Sequence, residues 1–301
     1  MVAKEVVGFI GLGTMGAPMA RNIAASYDTH VYDIDSGRTA EVAQDIANGT
    51  ARRVVPAADA GALEACTIVV LMLPTSKDVR EVLLAGSEPR IPLSPGSIVI
   101  DMSSSDPTDT VGTGEALRAH GITLLDAPVS GAQPRAAAGT LAIMLGGDDD
   151  AALSRAEPVL DTMSRNVFRT GKLGTGHAMK ALNNYVAGAA FAATSEALNA
   201  GVRFGLAPDV MVEVLNDSTG QSFSSSHVFL PHVVEEQFAT GFALPLITKD
   251  IKIAEALFDA VRVPAPICRA VTSQFADALQ ALGDVDHTEA YKHWSATDMD
   301  R

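Results

Sequence analysis

One stretch near the start of the chain limits the possible folds more than any other. Val6-Val7-Gly8-Phe9-Ile10 is short, apolar and rich in β-branched residues, and it runs straight into Gly11-Leu12-Gly13-Thr14-Met15-Gly16. A strand with no polar face has to be covered on both sides. The stretch 17–25 behind the turn has helical periodicity, so the segment reads as strand, tight turn, helix. Each glycine has its own reason to be there: Gly11 makes the turn, Gly13 lets the backbone approach a pyrophosphate, and Gly16 lets the helix pack close to the strand. The start of that helix presents unpaired N–H groups to the phosphates. Three spaced glycines alone are weak evidence, and their place between a strand and a helix gives them weight.

Asp33 strengthens the reading. It ends the next strand, residues 29–32, and stands 20 residues after Gly13. A carboxylate there accepts hydrogen bonds from an adenosine ribose and repels a 2′-phosphate, which points to NAD rather than NADP. Leu12, Thr14 and Met15 belong to the same cofactor-binding loop. Arg38, close by, would soften the preference for NAD.

The rest of the first half repeats the strand–helix pattern. Apolar runs at 68–73, 97–100, 122–125 and 141–145 alternate with amphipathic segments, one of them capped by Ser36 and running to about Ala47. Such alternation specifies a parallel sheet with helices on both faces. After about Phe168 the strands stop. A long alanine-rich helix is expected over 175–203, followed by helices at 208–215, at 222–236 with a break near Pro231, at 244–261 and at 266–282. The fold class is therefore α/β: a Rossmann-type doubly wound domain over 1–170, then an all-helical domain over 171–301 for substrate and oligomer contacts, joined by the long helix.

Composition closes off several alternatives. Lys plus Arg is 22 against 36 Asp plus Glu, a formal charge of −14. A surface this acidic is unsuited to nucleic acid or an anionic membrane. No run is long enough to cross a membrane, no secretory leader is visible, and no His/Cys cluster suggests a metal. Cys66 and Cys268 sit in apolar runs, as small hydrophobes in a reducing compartment do, so a cytoplasmic protein is expected.

Four motifs in order carry a resemblance that spans nearly the whole chain. Residues 11–22, Gly-Leu-Gly-Thr-Met-Gly-Ala-Pro-Met-Ala-Arg-Asn, resemble the dinucleotide fingerprint of the β-hydroxyacid dehydrogenases, a family that includes 3-hydroxyisobutyrate dehydrogenase and tartronate semialdehyde reductase. Asp126-Ala127-Pro128-Val129-Ser130-Gly131-Ala132, continued by Gly139-Thr140-Leu141, resembles its substrate-binding segment. Residues 174–184, Gly-Thr-Gly-His-Ala-Met-Lys-Ala-Leu-Asn-Asn, resemble its catalytic motif, and Lys249-Asp250 its C-terminal pair. The resemblance implies Lys180 as the catalytic lysine and Asn184 as its support or a substrate contact. It implies Ser130, Gly131 and Ala132 at the substrate carboxylate, Leu73 and Pro74 along the cofactor, Ser104 as a cofactor-contacting hydroxyl, and Lys249 reaching the cofactor or active site. Ala132 stands where the family usually has a second glycine. Arg135 is also unusual; it either meets a second anionic group on the substrate or is a solvated loop arginine, the simpler reading.

These residues suit the chemistry. Oxidising a hydroxy acid requires a base close to the hydroxyl, neutral before the step. A lysine serves only if its pKa falls well below about 10.4. An early position on a helix, apolar surroundings and the positive nicotinamide would all push it that way. Asn184 follows Lys180 by four residues and so shares its helical face, whereas Asn183 points elsewhere. His177, one turn earlier, could be a base, but a solvent-facing residue at a helix start is the simpler reading. The serines at 222–226 either reach substrate or cap a helix. The expected activity is NAD-dependent hydride transfer between a small 3-hydroxy acid (3-hydroxyisobutyrate-like), or its semialdehyde, and nicotinamide. Competing readings are an imine reductase, a related group that usually lacks the lysine, and a dinucleotide-binding sensor without turnover. A phosphogluconate dehydrogenase would be considerably longer. Apolar faces on the helical domain imply a homodimer or homotetramer.

Overall fold

The computed structural model describes residues 5–296, so the outermost residues of both expected domains, 1–4 and 297–301, lie outside it. The chain divides into two compact units, with the division between Lys180 and Ala181.

The first unit is built on one sheet. Its elements are β1 (Val6–Ile10), α1 (Gly16–Ala24), β2 (Asp28–Tyr32), α2 (Ser36–Asn48), β3 (Val54–Pro56), β4 (Ile68–Leu71), α3 (Ser76–Leu83), a small hairpin of β5 (Leu84–Ala85) and β6 (Glu88–Pro89), β7 (Ile98–Asp101), α4 (Pro107–Arg118), β8 (Thr123–Asp126), β9 (Val129–Ser130), α5 (Ala132–Ala137), β10 (Leu141–Gly146), α6 (Asp150–Leu160) and β11 (Ser164–Gly171). The main sheet runs β11-β10-β8-β7-β4-β1-β2-β3, with β9 paired to β10. β1, β4 and β7 are buried along almost their whole length, which is why their sequences are continuously apolar. Two apolar clusters form the core, one holding Val7, Phe9 and Ile100, the other Ile10, Leu71 and Val99. Alternation along the strands sends neighbouring side chains to opposite faces.

The strand order reverses between β1 and β4, and the loops leaving their C-terminal ends flank the crevice where open α/β sheets take ligands. Three expectations need correction. Asp35, not Ser36, caps α2, by accepting from the Arg38 N–H at 3.1 Å. The strand expected over 68–73 stops at Leu71, because the Leu73 N–H turns away to the Ser103 hydroxyl at 2.9 Å. The sheet is not parallel throughout: β10 runs antiparallel to β8 and β9, and β11 follows β10. A parallel return needs a crossover of a dozen or more residues, usually a full helix. Here residues 127–140 hold β9, itself antiparallel to β10, and only the six-residue α5, too short a helix to carry the chain back along the sheet, so the chain doubles back.

The second unit is helical. α7 (Thr175–Phe204) begins in the first unit and continues into the second, followed by α8 (Pro208–Asn216), a π-helical segment (Ser225–Val234), α9 (Leu244–Ala260), α10 (Pro266–Leu282) and α11 (Ala290–Ala296). Its core gathers Phe191, Phe229, Phe275 and Trp294. Gly188 has no side chain because a Cβ there would press Ile251 at 2.7 Å. The break expected near Pro231 is absent. The segment widens into π-turns around it instead, and an i→i+5 ladder relieves the clash between a proline ring and the carbonyl four residues back. Among the described residues, no helix is long and apolar enough to cross a membrane.

Candidate active site

The glycine turn has the geometry its sequence requires. Gly11 takes φ +92°, and a Cβ there would strike the Met72 carbonyl oxygen. A Cβ at Gly16 would overlap the Gly11 carbonyl oxygen, so only glycine lets α1 start this close to the end of β1. Gly13 differs: a Cβ there would meet nothing within 4 Å, because the residue faces open space. A phosphate-bearing ligand fits this arrangement, with room in front of Gly13 and the N-terminus of α1, the positive end of its dipole, beside it. Leu12 is fully buried, Thr14 is exposed and Met15 half-buried.

Asp33 fastens this loop. Its carboxylate accepts the Leu12 N–H at 2.7 Å and the Asp35 N–H at 3.0 Å, tying the turn after β1 to the turn after β2. A carboxylate has about four acceptor positions, so two remain for ribose hydroxyls. Arg38 donates to the Leu12 carbonyl at 3.2 Å, which keeps a cation at the same loop. After β4, Leu73 is half-buried, its side chain close against Gly11, and Pro74 is exposed. Ser104 is half-buried. Its neighbour Ser103, not singled out from the sequence, holds the Leu73 amide.

The segment 126–141 brings its own strain. Ser130 pairs with Ala142 between β9 and β10. Gly131 takes φ +143° and Ala132 takes φ +56°, a left-handed backbone on a residue with a Cβ. Such a residue costs about 1–2 kcal/mol relative to glycine's freedom, so Ala132 keeps a glycine geometry without being glycine. Arg135 is exposed, and its aliphatic stem lies over Gly131: a Cβ built there would come within 2.6 Å of the Arg135 Cδ.

The start of α7 is held by a buried group that the sequence did not reveal. Asp126, at the end of β8 and fully buried, accepts the Gly174 N–H and the His177 N–H, both at 2.8 Å. His177 is therefore not solvent-facing. It is buried, with Nδ1 2.8 Å from the Thr110 hydroxyl and Nε2 3.7 Å from an oxygen of Asp101. Asp101 in turn accepts from the Ser103 N–H and the Ser105 hydroxyl. Burial pushes the Asp126 carboxyl above the usual carboxylate range, with His177 and the two N–H bonds pulling against it. Lys180, three residues beyond His177, is half-buried.

Asn184, one turn after Lys180 on α7, is buried in the second unit. Its amide nitrogen donates to Asp250 at 2.6 Å, and its oxygen accepts from Asn183 at 3.2 Å. The carboxamide orientation is thus fixed by Asp250, a partner the sequence reading did not give it. Asp250 also lies 3.7 Å from Lys249 Nζ and keeps a buried oxygen, Oδ1, without a hydrogen-bond partner. The serines expected to reach substrate or cap a helix take a capping arrangement, with Ser222 and Ser225 bonding each other's backbone amides at 3.0 and 2.8 Å. Among the described residues no cluster could hold a metal ion.

Comparison with known proteins gives these features a family. Residues 6–171 match the model for the NAD binding domain of 6-phosphogluconate dehydrogenase, and residues 174–294 that for the NAD-binding domain of NADP-dependent 3-hydroxyisobutyrate dehydrogenase. The chain is 33% identical over 294 residues to a 2-(hydroxymethyl)glutarate dehydrogenase of Eubacterium barkeri, covering 96% of this chain and 94% of that one. It is 33% identical over 270 residues to an NAD-dependent L-serine dehydrogenase of Pseudomonas aeruginosa, covering 87% and 88%. Among solved structures, a 3-hydroxyisobutyrate dehydrogenase of Mycobacterium tuberculosis with L-serine superimposes with a TM-score of 0.83 at 29% identity, covering 97% and 99%. The chain belongs to the β-hydroxyacid dehydrogenases and is an NAD-dependent oxidoreductase acting on CH–OH groups.

Proposed function

We propose that the protein interconverts a small 3-hydroxy acid and its semialdehyde, with Lys180 as the general acid and base. The observation that carries this reading is the placement of Lys180 and Asn184 one turn apart on α7, with the Asn184 amide fixed by Asp250. The substrates named for the three relatives share one skeleton, a carboxylate and a primary hydroxyl on adjacent carbons of a 3-hydroxypropanoate, and differ only in the group on C2. A site for such molecules needs a constant carboxylate contact, a constant hydroxyl contact and a variable wall.

Ser130 and Gly131 are the carboxylate contact in this reading, through the serine hydroxyl and backbone N–H groups at the C-terminal edge of the sheet. Lys180, as the neutral amine, takes the hydroxyl proton, and as the ammonium it returns that proton to the carbonyl oxygen. Asn184 holds the same oxygen in place. Bound NAD, held by the glycine turn, Asp33, Leu73, Pro74, Ser104 and Lys249, supplies the hydride acceptor. Ala132 and Arg135 form the variable wall. Arg135, whose aliphatic stem lies over Gly131, brings a cation to this wall and so favours an anionic C2 substituent.

Unpaired, buried Cys66 and Cys268 support a cytoplasmic location. Exposed Phe204, Leu206, Val210 and Val214 support burial against a second copy, as a homodimer or homotetramer; a monomeric mass by light scattering would overturn that.

The test is NADH formation at 340 nm with 3-hydroxyisobutyrate, serine and 2-(hydroxymethyl)glutarate, on the wild type and on Lys180→Ala. Turnover of at least one acid, lost on the order of a thousandfold or more in the variant while NADH still binds, is the expected result. Cofactor binding without turnover of any of the three would favour the sensor reading, and substantial kcat in Lys180→Ala would remove the lysine from its role. An imine reductase reading has no use for Lys180.

A further inference from the structure

Asp126 is buried, carries a charge-bearing group, and has no part in the contacts proposed for cofactor or substrate. Its surroundings are built for it. A Cβ at Gly146 would strike one of its oxygens and a Cβ at Gly176 would sit 2.8 Å from the other, so two glycines leave the room it occupies. Its oxygens are divided between two amides of one helical turn: Oδ1 takes Gly174 N–H and Oδ2 takes His177 N–H. The other side of that turn is held by Thr110 of α4, through the His177 ring at 2.8 Å. The titratable groups facing this point are His177 from α7 and Asp101 from the end of β7.

We infer that Asp126, with Thr110 and His177, positions Lys180 by clamping the first turn of α7 to the C-terminal edge of the sheet. This positioning role rests on the role proposed for Lys180. Amides at a helix N-terminus have no partners within the helix, and a carboxylate there both satisfies them and opposes the positive end of the dipole. Because β8 fixes Asp126 and the sheet fixes β8, the clamp transfers the rigidity of the sheet to the helix start. Lys180 follows His177 by three residues, less than one turn, so a slip of the first turn moves the amine with it. Reactive groups need placement within a fraction of an ångström, and an error of about 1 Å costs on the order of a hundredfold in rate. Asp126 touches no reacting atom in this scheme; it is a positioning residue.

The test is Asp126→Asn, of the same size but with an amide nitrogen facing one backbone N–H. Two readouts need no substrate. Hydrogen exchange of the segment 172–180 should accelerate at least tenfold while β1 and β4 stay protected. Trinitrobenzenesulfonate should label Lys180, read by peptide mass spectrometry, at least threefold faster at pH 8, because a loosened first turn opens the half-buried amine to the reagent. With an oxidised substrate in hand, kcat should fall at least tenfold while the Kd for NADH changes less than twofold. Unchanged exchange and labelling, or unchanged kcat, would overturn the inference, as would an equal loss of NADH binding. Thr110→Val, which leaves the carboxylate in place, should move the labelling of Lys180 in the same direction by a smaller factor, and decides the matter if Asp126→Asn does not fold. Absence of turnover in the wild type would count against the proposed function, and labelling and exchange would still judge the clamp.

Discussion

A methyl group tells Gly13 from Gly16. At Gly16 it would collide with the carbonyl oxygen of Gly11, backbone against backbone, with no side chain able to yield. At Gly13 it would enter open space. Gly16→Ala should therefore destabilise the folded protein by about 1–3 kcal/mol, as overpacking does, and thermal unfolding would show it without any cofactor. Gly13→Ala should leave the melting temperature within about a degree of wild type and weaken NADH binding at least tenfold by fluorescence titration, since the methyl fills the approach to the pyrophosphate. A melting temperature that falls equally in both variants would place Gly13 among structural glycines. The sequence made both glycines legible through their spacing between a strand and a helix, although only Gly16 answers to a backbone contact within the chain. The buried contacts of Asp126 and Asp101 stayed hidden for the opposite reason: a motif can include Asp126 without showing its partner, a helix start 48 residues further along the chain. Ala132 was legible as a departure, while its left-handed backbone was not.

At the scale of elements, continuous apolar runs made β1, β4, β7 and β10 readable, because strands buried on both faces carry no competing pattern. β3 and β11 were missed. Val54–Pro56 is three residues long with arginines before it, and a proline belongs only at such an edge. Ser164–Gly171 is a mostly exposed edge strand with two arginines and no apolar run. The direction of β10 was also beyond sequence pattern, since a parallel and an antiparallel strand bury the same side chains and only the presence or absence of a full crossover helix distinguishes them. Helices fared better. α10 begins and ends at the residues expected, Pro266 in its first turn and Gly283 following its end. The Pro231 segment departs from expectation because a proline ring clashes with the carbonyl four residues back in an α-helix, and the wider π-turn makes room for it without breaking the helix.

At the scale of the whole molecule, charge is the property that no single element displays. With 36 acidic and 22 basic side chains, the protein presents a field of −14 to a carboxylate substrate and to the anionic dinucleotide. Two effects of opposite sign therefore act on substrate capture. Contacts with cations at the site attract over about 4 Å, and the remaining surface repels over tens of ångströms. Salt separates them by range, because the screening length falls from about 30 Å at 0.01 M to about 10 Å at 0.1 M. A contact at about 4 Å is weakened only modestly by that change, whereas a repulsion acting over about 20 Å loses most of its strength. The far field should thus be the first casualty. KM for a 3-hydroxy acid with two carboxylates should fall severalfold as sodium chloride rises from about 0.01 to about 0.1 M, KM for a monocarboxylate should fall less, and kcat for both should stay level. Steady-state kinetics at the two ionic strengths checks this. A KM that rises with salt for the doubly charged substrate would mean that local cations, Arg135 foremost, outweigh the rest of the surface, and Arg135→Ala should then abolish the rise.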